Sequence, residues 1–329
     1  MQQQQRHPVR LAFQILFVVA LWVIVGAAVM QRQNISDWWS LRNYEPPTEI
    51  VALADSTTMT DDARRIFYVY RPGLEQAESF NQNCTTNNEF SIILGCYVSG
   101  QGIYVFKVDD ERLAGVEEVT AAHEMLHAAY GRLSSGERKK IDAQLATVYK
   151  TMANDRLRTT IEQYRGSDAS VVPNELHSIL GTELGALTPE LEEYYAHYFT
   201  DRKKIVAFAE EYEKAFSDRK AQIDAYETEL KALQASIESR KTALEGTSAQ
   251  LAVDYEYLES KRDSISASLF NSLASTYNTQ VASYNREVRA ISELIDRYNA
   301  VYQEYEKVII ERQDLYKAID SRPEALPTQ

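Results

Sequence analysis

The sequence predicts an α+β protein with an N-terminal transmembrane helix, a mainly helical domain with a small β-hairpin, and a long coiled-coil hairpin. Three observations support this class: an apolar run, two neighbouring β-rich runs, and a late seven-residue repeat. The predicted domains are a cytoplasmic tail at 1–10, a transmembrane anchor at 11–30, a juxtamembrane linker at 31–50, a globular domain at 51–203, the coiled-coil hairpin at 204–320 and a tail at 321–329.

The composition restricts the possible partners. Hydrophobic residues make up 44% of the 329 residues, enough for a real core. Lys and Arg number 35 against 48 Asp and Glu, which gives a net charge of −13. An acidic balance of this size gives no support to nucleic-acid binding.

The apolar run at 11–30 predicts the membrane anchor. Its 20 residues are enough to cross the hydrocarbon core of a bilayer. Arg6, His7 and Arg10 precede the run, which places the N-terminus in the cytoplasm and the rest of the chain outside it. Cleavage as a signal peptide near Gly26 is the alternative. The sequence therefore predicts a single-pass membrane protein with an extracytoplasmic domain.

Local signals predict the first elements after the linker. Thr60 precedes an acidic turn and is typical of a helix N-cap, and Pro72-Gly73 ends that helix. The runs at 91–98 and 102–108 are rich in β-branched and aromatic residues, and Ser99-Gly100-Gln101 separates them. We expect a β-hairpin, whose exposed edge could hold an extended peptide.

The two cysteines, Cys84 and Cys96, lie 12 positions apart. They form no Cys-x-x-Cys pair and are distant in sequence from the histidines discussed below, so zinc ligation through sulfur is not expected. Outside the cytoplasm they predict one disulfide that closes a loop, and two free buried thiols are the alternative.

The strongest functional pattern is His123-Glu124-Met125-Leu126-His127, in a segment predicted to be helical from Glu117 onward. Residues four apart share a helix face, so the two imidazoles can bind one zinc ion while Glu124 reaches the water on that ion. A separate apolar stripe packs the helix and consists of Val119, Ala122, Leu126 and Ala129. The pattern predicts a zinc hydrolase with Glu124 as its general base.

A catalytic zinc ion needs a third protein ligand. A third histidine shortly after the motif is excluded, because Tyr130 and Leu133 occupy the positions where metzincins need glycine and histidine. Glu175 is one candidate, in the first turn of a helix that Asn174 is expected to cap. Glu183 is the alternative ligand. The two glutamates lie about 12 Å apart along a helix, so both cannot bind one ion.

With this motif and a later glutamate, the chain resembles the gluzincins, zinc peptidases whose third ligand is a glutamate on a following helix. The separation of 48 residues between His127 and Glu175 is similar to that in the lethal-factor-like and titration-factor-like peptidases. The resemblance covers about 120–190 and favours Glu175 over Glu183 as the third ligand. It also implies a zincin-like peptidase domain at 51–203, a zinc cofactor and a peptide or protein substrate. The chain departs at Ile179, where many gluzincins carry an aspartate that supports a histidine ligand.

Three further residues near this region bear on the site, namely Tyr164, His177 and His197. Zinc peptidases usually need a tyrosine or histidine that stabilises the oxyanion, and Tyr164 is one candidate. His177 lies about 200° around its helix from Glu175 and is expected to face away from the zinc ion. His177 and His197 are therefore interpreted as surface or core histidines.

From residue 204 onward, apolar residues follow a heptad repeat typical of coiled coils. The segment 261–266 separates two arms of about equal length, which favours an antiparallel hairpin with arms of roughly 75–80 Å. One continuous rod that dimerises is the alternative. The predicted seam of the second arm includes Val288, Ile295 and Tyr302. A further apolar row invites a third helix, from a partner protein or a second copy, and consists of Leu294, Val301, Val308 and Leu315.

Together these features predict a membrane-anchored zinc metallopeptidase that hydrolyses peptide bonds on the extracytoplasmic side, with a coiled-coil arm that binds or positions a partner. One alternative is a membrane-anchored coiled-coil scaffold without catalytic activity, against which the intact Glu124 argues. The other is a zinc amidase or peptidase that acts on cell-wall peptides. The residues named here do not choose between protein and cell-wall substrates.

Overall fold

The computed structural model describes residues 13, 16–23, 25–26, 31–84 and 92–322. The chain divides into two compact units. The first unit extends to Tyr212 and takes up the chain again at Ala318, and the second unit is Glu213–Lys317. The two histidines of the motif and both candidate third ligands belong to the first unit.

Most of the first unit is helical. Its helices are α1 (Arg32–Leu41), α2 (Thr48–Ser56), α3 (Asp61–Val69), α4 (Ala77–Asn83), α5 (Val116–Arg132), α6 (Ser135–Thr151), α7 (Asp155–Ser167), α8 (Val172–Glu183) and α9 (Pro189–Tyr195), followed by the start of α10 (Arg202–Lys261). A short 3₁₀ turn, Glu111–Leu113, precedes α5.

Side-chain caps fix several of these helix starts. The Thr60 hydroxyl accepts a hydrogen bond from the N–H of Ala63 at the start of α3, as the sequence predicts. Ser134 and Glu137 form a capping box that opens α6. Each cap satisfies a backbone donor that has no partner within the helix, so the boundaries follow from residues within one turn.

A three-stranded sheet accompanies the helices, with the order β1-β3-β2. Its strands are β1 (Gly73–Glu75), β2 (Gly95–Val98) and β3 (Gly102–Phe106). Strands β2 and β3 form an antiparallel hairpin, and β1 pairs in parallel with β3. Strand β2 therefore lies at one edge of the sheet. The parallel strand β1 was not predicted, because its three residues lie where the sequence indicates only the end of a helix.

Helix α5 occupies the middle of the core of the first unit and contacts α8, α2, α3 and both strands of the hairpin. The predicted stripe of Val119, Ala122, Leu126 and Ala129 is buried. Further small residues of α5, Ala121 and Ala128, are fully buried as well. Small side chains let neighbouring elements approach this side of α5 closely. This packing fixes the rotation of α5 and so the position of the histidines on its other face.

Cys84, at the end of α4, forms a disulfide with Cys96 of β2, and their Cα atoms lie 5.9 Å apart. Cys84 packs in a small buried cluster with Phe80 of α4 and Phe106 of β3. The disulfide thus joins the edge strand β2 to α4.

The segment that the sequence predicts to be a linker contains helix α1. Asp37 of α1 is buried and forms a bidentate ion pair with Arg132, at 2.7 and 3.2 Å, at the end of α5. The Arg132 guanidinium also lies over the ring of Tyr70. Helix α1 is therefore packed on the first unit, next to the end of the helix that carries the motif.

The second unit contains most of two long helices, α10 and α11 (Ala267–Ile319), separated by residues 262–266. Their ion pairs join Glu229 to Arg297 and Arg240 to Glu287, which is the order of antiparallel helices. Three residues predicted in the seam of the second arm, Val288, Ile295 and Tyr302, are 40–42% exposed. In the additional apolar row, Val308 and Leu315 are buried. Ile291 of the predicted seam is buried as well, so α11 packs with part of the predicted seam and with the additional row.

The predicted α+β class is wrong, because the described chain is mostly helical with only a small sheet. The two β-rich runs form strands of only four and five residues, since β2 begins at Gly95 and β3 ends at Phe106. Ser91, the first residue of the predicted hairpin, lies outside the described residues. The long C-terminal helices are present.

The predicted transmembrane helix is wrong too. No helix in the described part of the chain is long and apolar enough to cross a membrane. Within the predicted anchor at 11–30, the structure describes a helical segment at 16–23. The other residues of the anchor, apart from 13 and 25–26, lie outside the described residues, as does the predicted tail at 1–10. The predicted single-pass topology with an extracytoplasmic domain depended on this transmembrane helix and is wrong as well.

Candidate metal centre

Helix α5 places the two histidines of the motif side by side. His123 and His127 lie one turn apart, and their ring centroids are 4.7 Å from each other. Both side chains are mostly buried, with 16% and 11% of their surface exposed. The opposite face of α5 is apolar and packed, so both imidazoles point away from it into the same space.

Helix α8 brings Glu175 to the histidines. The Nε2 atom of His123 lies 3.7 Å from Glu175 Oε2, and the Nε2 atom of His127 lies 3.6 Å from Glu175 Oε1. One ligand atom from each of the three residues falls within 4.8 Å of the other two. Glu175 Oε2 is buried and accepts no hydrogen bond from any described residue. This buried group of two imidazoles and one carboxylate can hold a metal ion.

The charges of the three groups fit a cation between them. Burial lowers the pKa of His123, but the carboxylates of Glu175 and Glu124 outweigh it and raise that pKa to about 9. Burial and the neighbouring His123 lower the pKa of His127 to about 4. Burial raises the pKa of Glu175, but both imidazoles hold it below its ordinary value. Near neutral pH the cluster therefore keeps one proton on His123, which a bound divalent cation would replace.

Glu124 lies beside this group and against the edge strand β2. The side chain is buried, and the backbone N–H of Tyr97 donates a hydrogen bond to its carboxylate. A Cβ atom on Gly95 would lie 2.9 Å from Cγ of Glu124, so only glycine lets β2 approach this closely. Burial raises the pKa of Glu124 to about 7. A carboxyl group near its pKa at neutral pH can both accept and release a proton.

Tyr164 of α7 is the second polar group near the three ligands. Burial raises the pKa of its hydroxyl, and the carboxylates of Glu175 and Glu124 raise it further. The hydroxyl consequently keeps its proton at any physiological pH and donates a hydrogen bond to Glu175. The structure brings this candidate residue to the metal centre, since α7 packs against α8.

Glu183, the alternative third ligand, lies at the last residue of α8 and outside the metal group. Its Oε2 atom is 2.7 Å from a guanidinium nitrogen of Arg156 in α7. Among the described residues, the group that can hold a metal contains Glu175 and does not contain Glu183. The separation of eight positions between the two glutamates puts Glu183 about two turns further along the helix.

Sequence reasoning missed the polar contacts of His127. Ser178 is fully buried, and its Oγ atom lies 3.2 Å from Nδ1 of His127. Asn174 was predicted to cap α8, but Val171 occupies the N-cap position and Asn174 lies within the helix, beside His127. Helical spacing could have indicated both contacts. Asn174 lies one position before Glu175 and Ser178 lies three positions after it, so both flank the face of α8 that carries Glu175.

The remaining two histidines are not part of the metal group. His177 is buried, and its Nε2 atom is 2.8 Å from the hydroxyl of Tyr194. Burial lowers the pKa of His177 to about 3, so the ring is neutral. His197 is exposed. Of the two interpretations in the sequence analysis, His177 is a core histidine and His197 a surface histidine.

Close packing and one arginine hold α8 in place. A Cβ atom on Gly181 would lie 2.7 Å from Cδ1 of Leu126, so α8 and α5 are in close contact just beyond the metal ligands. The buried Arg202 donates hydrogen bonds to the carbonyls of Gly181, Leu184 and Gly185 at the end of α8. These carbonyls have no partners within the helix, and Arg202 satisfies them. The position of Glu175 is thus set by packing that does not depend on a metal.

No protein-family model, curated protein or solved structure matches this chain.

Proposed function

We propose that this protein is a zinc-dependent metallopeptidase that hydrolyses peptide bonds, as its resemblance to the gluzincins implies. The observation that carries the proposal is the buried group of His123, His127 and Glu175 with Glu124 next to it. Three protein ligands of this kind leave a fourth position for water or substrate, as catalytic zinc sites do. A structural zinc site would instead have four protein ligands.

Two imidazoles and one carboxylate are a donor set that zinc prefers, and this set supports zinc over magnesium or calcium, which bind oxygen ligands. A zinc ion held by these residues would lower the pKa of a water molecule and polarise the carbonyl of the scissile bond. The residues of the chain supply the other parts of the reaction.

Glu124 acts as the general base and then as the general acid. Its carboxylate takes a proton from the attacking water, and it gives this proton to the amine nitrogen as the peptide bond breaks. The hydrogen bond from the N–H of Tyr97 and the contact with Gly95 keep the carboxylate oriented. Burial excludes bulk water that would otherwise exchange the proton before it is transferred.

The edge strand β2 is suited to hold the substrate. Its one paired neighbour in the sheet is β3, and its residues Gly95 and Tyr97 already contact the base Glu124. An extended peptide can add to such an edge through main-chain hydrogen bonds. A peptide bound there would run past the metal centre. Because main-chain hydrogen bonds would hold it, hydrolysis would not require particular side chains at every position of the substrate.

Tyr164 donates a hydrogen bond to the carbonyl oxygen of the substrate as negative charge develops on it. We expect Tyr164→Phe to lower kcat about 10²–10³-fold, with KM and zinc affinity nearly unchanged, because the phenylalanine ring fills the same space. Steady-state kinetics on one peptide and zinc titration measure the two effects. An unchanged kcat would remove Tyr164 from the mechanism, and loss of zinc would instead indicate that it holds Glu175 in place.

The long helices α10 and α11 are proposed to bind or position a partner. They extend the chain by a separate unit whose exposed surface includes Val253, Tyr257 and Leu269 near the turn between the helices. This role is independent of the zinc chemistry, since the metal centre lies within the first unit.

The proposal is tested by zinc analysis and hydrolysis assays on the full chain. We expect one zinc ion per chain, cleavage of peptides in a random-sequence library, loss of cleavage with a chelator and recovery with added zinc. Cross-linked cell-wall peptides form a second arm of the assay and distinguish the two substrate classes. A chain that binds no zinc after supplementation would overturn the proposal and favour a scaffold role for the long helices.

A further inference from the structure

Ser178 lies where a residue that orients a metal ligand would be expected. Its Oγ atom is 3.2 Å from Nδ1 of His127, on the side of the ring opposite the Nε2 atom that faces Glu175. Ser178 and the neighbouring Thr182 are both fully buried. The position four residues after Glu175, where many gluzincins carry an aspartate, is the apolar Ile179.

We propose that Ser178 is a positioning residue of the metal centre, whose hydroxyl accepts the Nδ1–H of His127 and so presents Nε2 of that ring to the metal ion. The inference rests on the proposed metal site and concerns a residue outside its three ligands.

The chemistry of imidazole fixes the direction of this hydrogen bond. A neutral histidine carries a proton on one ring nitrogen and can bind a metal through the other. When Nε2 binds the metal, Nδ1 carries the proton and must find an acceptor. The Ser178 hydroxyl lies at that nitrogen, and its burial means that water does not supply a replacement.

Ser178 differs from the usual acceptor in being neutral. A carboxylate on the outer nitrogen makes the imidazole more basic and adds negative charge to the site. The metal centre already contains the carboxylates of Glu175 and Glu124, both mostly buried. A further buried carboxylate would increase the repulsion among these groups, so a hydroxyl fixes the ring orientation without that cost.

Asn174 is the competing acceptor. It lies one turn before Ser178, close enough to His127 for a hydrogen-bonding interaction that raises the pKa of that ring. Its buried Oδ1 atom nevertheless meets no partner among the described residues at the distance and angle of a full hydrogen bond, whereas the Ser178 hydroxyl lies 3.2 Å from Nδ1. The geometry therefore favours Ser178, and the two residues can be separated by substitution.

The test combines zinc titration with NMR of the full chain. We expect Ser178→Ala to lower the affinity for zinc about 10–100-fold, the range found when a residue that supports a histidine ligand is removed. Thr182→Ala is the matched control, because Thr182 is an equally buried hydroxyl on the same helix that bonds the carbonyl of Ser178 and does not touch His127. Zinc affinity should change little in this control.

Selective ¹⁵N labelling of the five histidines reports the tautomer directly. In the zinc-loaded wild-type protein, we expect His127 to carry its proton on Nδ1 and to exchange it slowly with solvent. Ser178→Ala should make this exchange fast, while Thr182→Ala should not. A structural role in packing alone would lower thermal stability in both variants and leave the exchange unchanged.

The outcomes separate the inference from the proposed function. A zinc-loaded wild-type protein with the proton on Nε2 of His127 overturns the inference without any variant. Equal zinc affinity in Ser178→Ala and the wild type, or a loss in Asn174→Ala alone, overturns it as well, and both leave the metallopeptidase proposal intact. A wild-type chain that binds no zinc overturns both.

Discussion

Replacing Glu124 with glutamine should lower the rate of peptide hydrolysis about 10²–10⁴-fold and leave zinc bound. Glutamine matches the size of glutamate, so it can fill the buried space against Gly95 and still accept the hydrogen bond from the N–H of Tyr97. The amide cannot take up a proton from water, and the step that depends on the base is lost. Measuring kcat/KM with one cleaved peptide and zinc content by elemental analysis separates the two properties.

Glu118→Gln is the control for this variant. Glu118 lies on the same helix, five residues before His123, and is not one of the residues that form the metal group. Glu118→Gln removes the same negative charge as Glu124→Gln, and we expect its activity and zinc content to be close to those of the wild type. Full activity in Glu124→Gln would refute its role as the base. Loss of zinc in Glu124→Gln would show that the carboxylate holds the metal ion.

The features of the fold and site that could be located from the sequence depend on residues close together in the chain. The pairing of His123 with His127 and the start of α6 at Ser134 are set within one or two helical turns, where the spacing of residues fixes which side chains meet. The preference for Glu175 over Glu183 came from the resemblance to a family. The structure places Glu175 at the histidines, and this contact crosses 48 residues of sequence.

The parts that were missed depend on packing between distant segments. The parallel pairing of β1 with β3 joins residues about thirty positions apart, and three residues give no strand pattern of their own. The pairing of Arg156 with Glu183 joins α7 to the end of α8. On α11, Ile291 of the predicted seam and Val308 of the additional apolar row are both buried, and a heptad pattern rich in tyrosine does not show which of the two rows packs.

The membrane prediction was wrong as well. Hydropathy over 11–30 satisfies the length criterion for a membrane span, but no helix in the described part of the chain is long and apolar enough to cross a membrane. This correction leaves the metal centre unchanged, because His123, His127 and Glu175 do not precede α5.

Glu175→Gln should abolish tight zinc binding, and Glu183→Gln should not. The two glutamates are a matched pair, since both belong to α8 and their side chains are 13% and 11% exposed. Only Glu175 has carboxylate oxygens within 3.7 Å of both histidine Nε2 atoms, and one of these oxygens has no hydrogen-bond partner. We expect a loss of zinc affinity greater than ~100-fold for Glu175→Gln, because a ligand should contribute more than a residue that supports one.

Thermal unfolding with and without zinc measures this difference without any assay for hydrolysis. A ligand at about 100 times its Kd stabilises the native state by about 2.7 kcal/mol, so zinc should raise the Tm of the wild type and of Glu183→Gln. It should leave the Tm of Glu175→Gln nearly unchanged. The loss of the Arg156 ion pair gives Glu183→Gln a lower Tm in the absence of zinc, but not a smaller increase on adding it. If zinc stabilised Glu175→Gln and not Glu183→Gln, the third ligand would be Glu183, and α8 would have to rotate in the metal-bound protein.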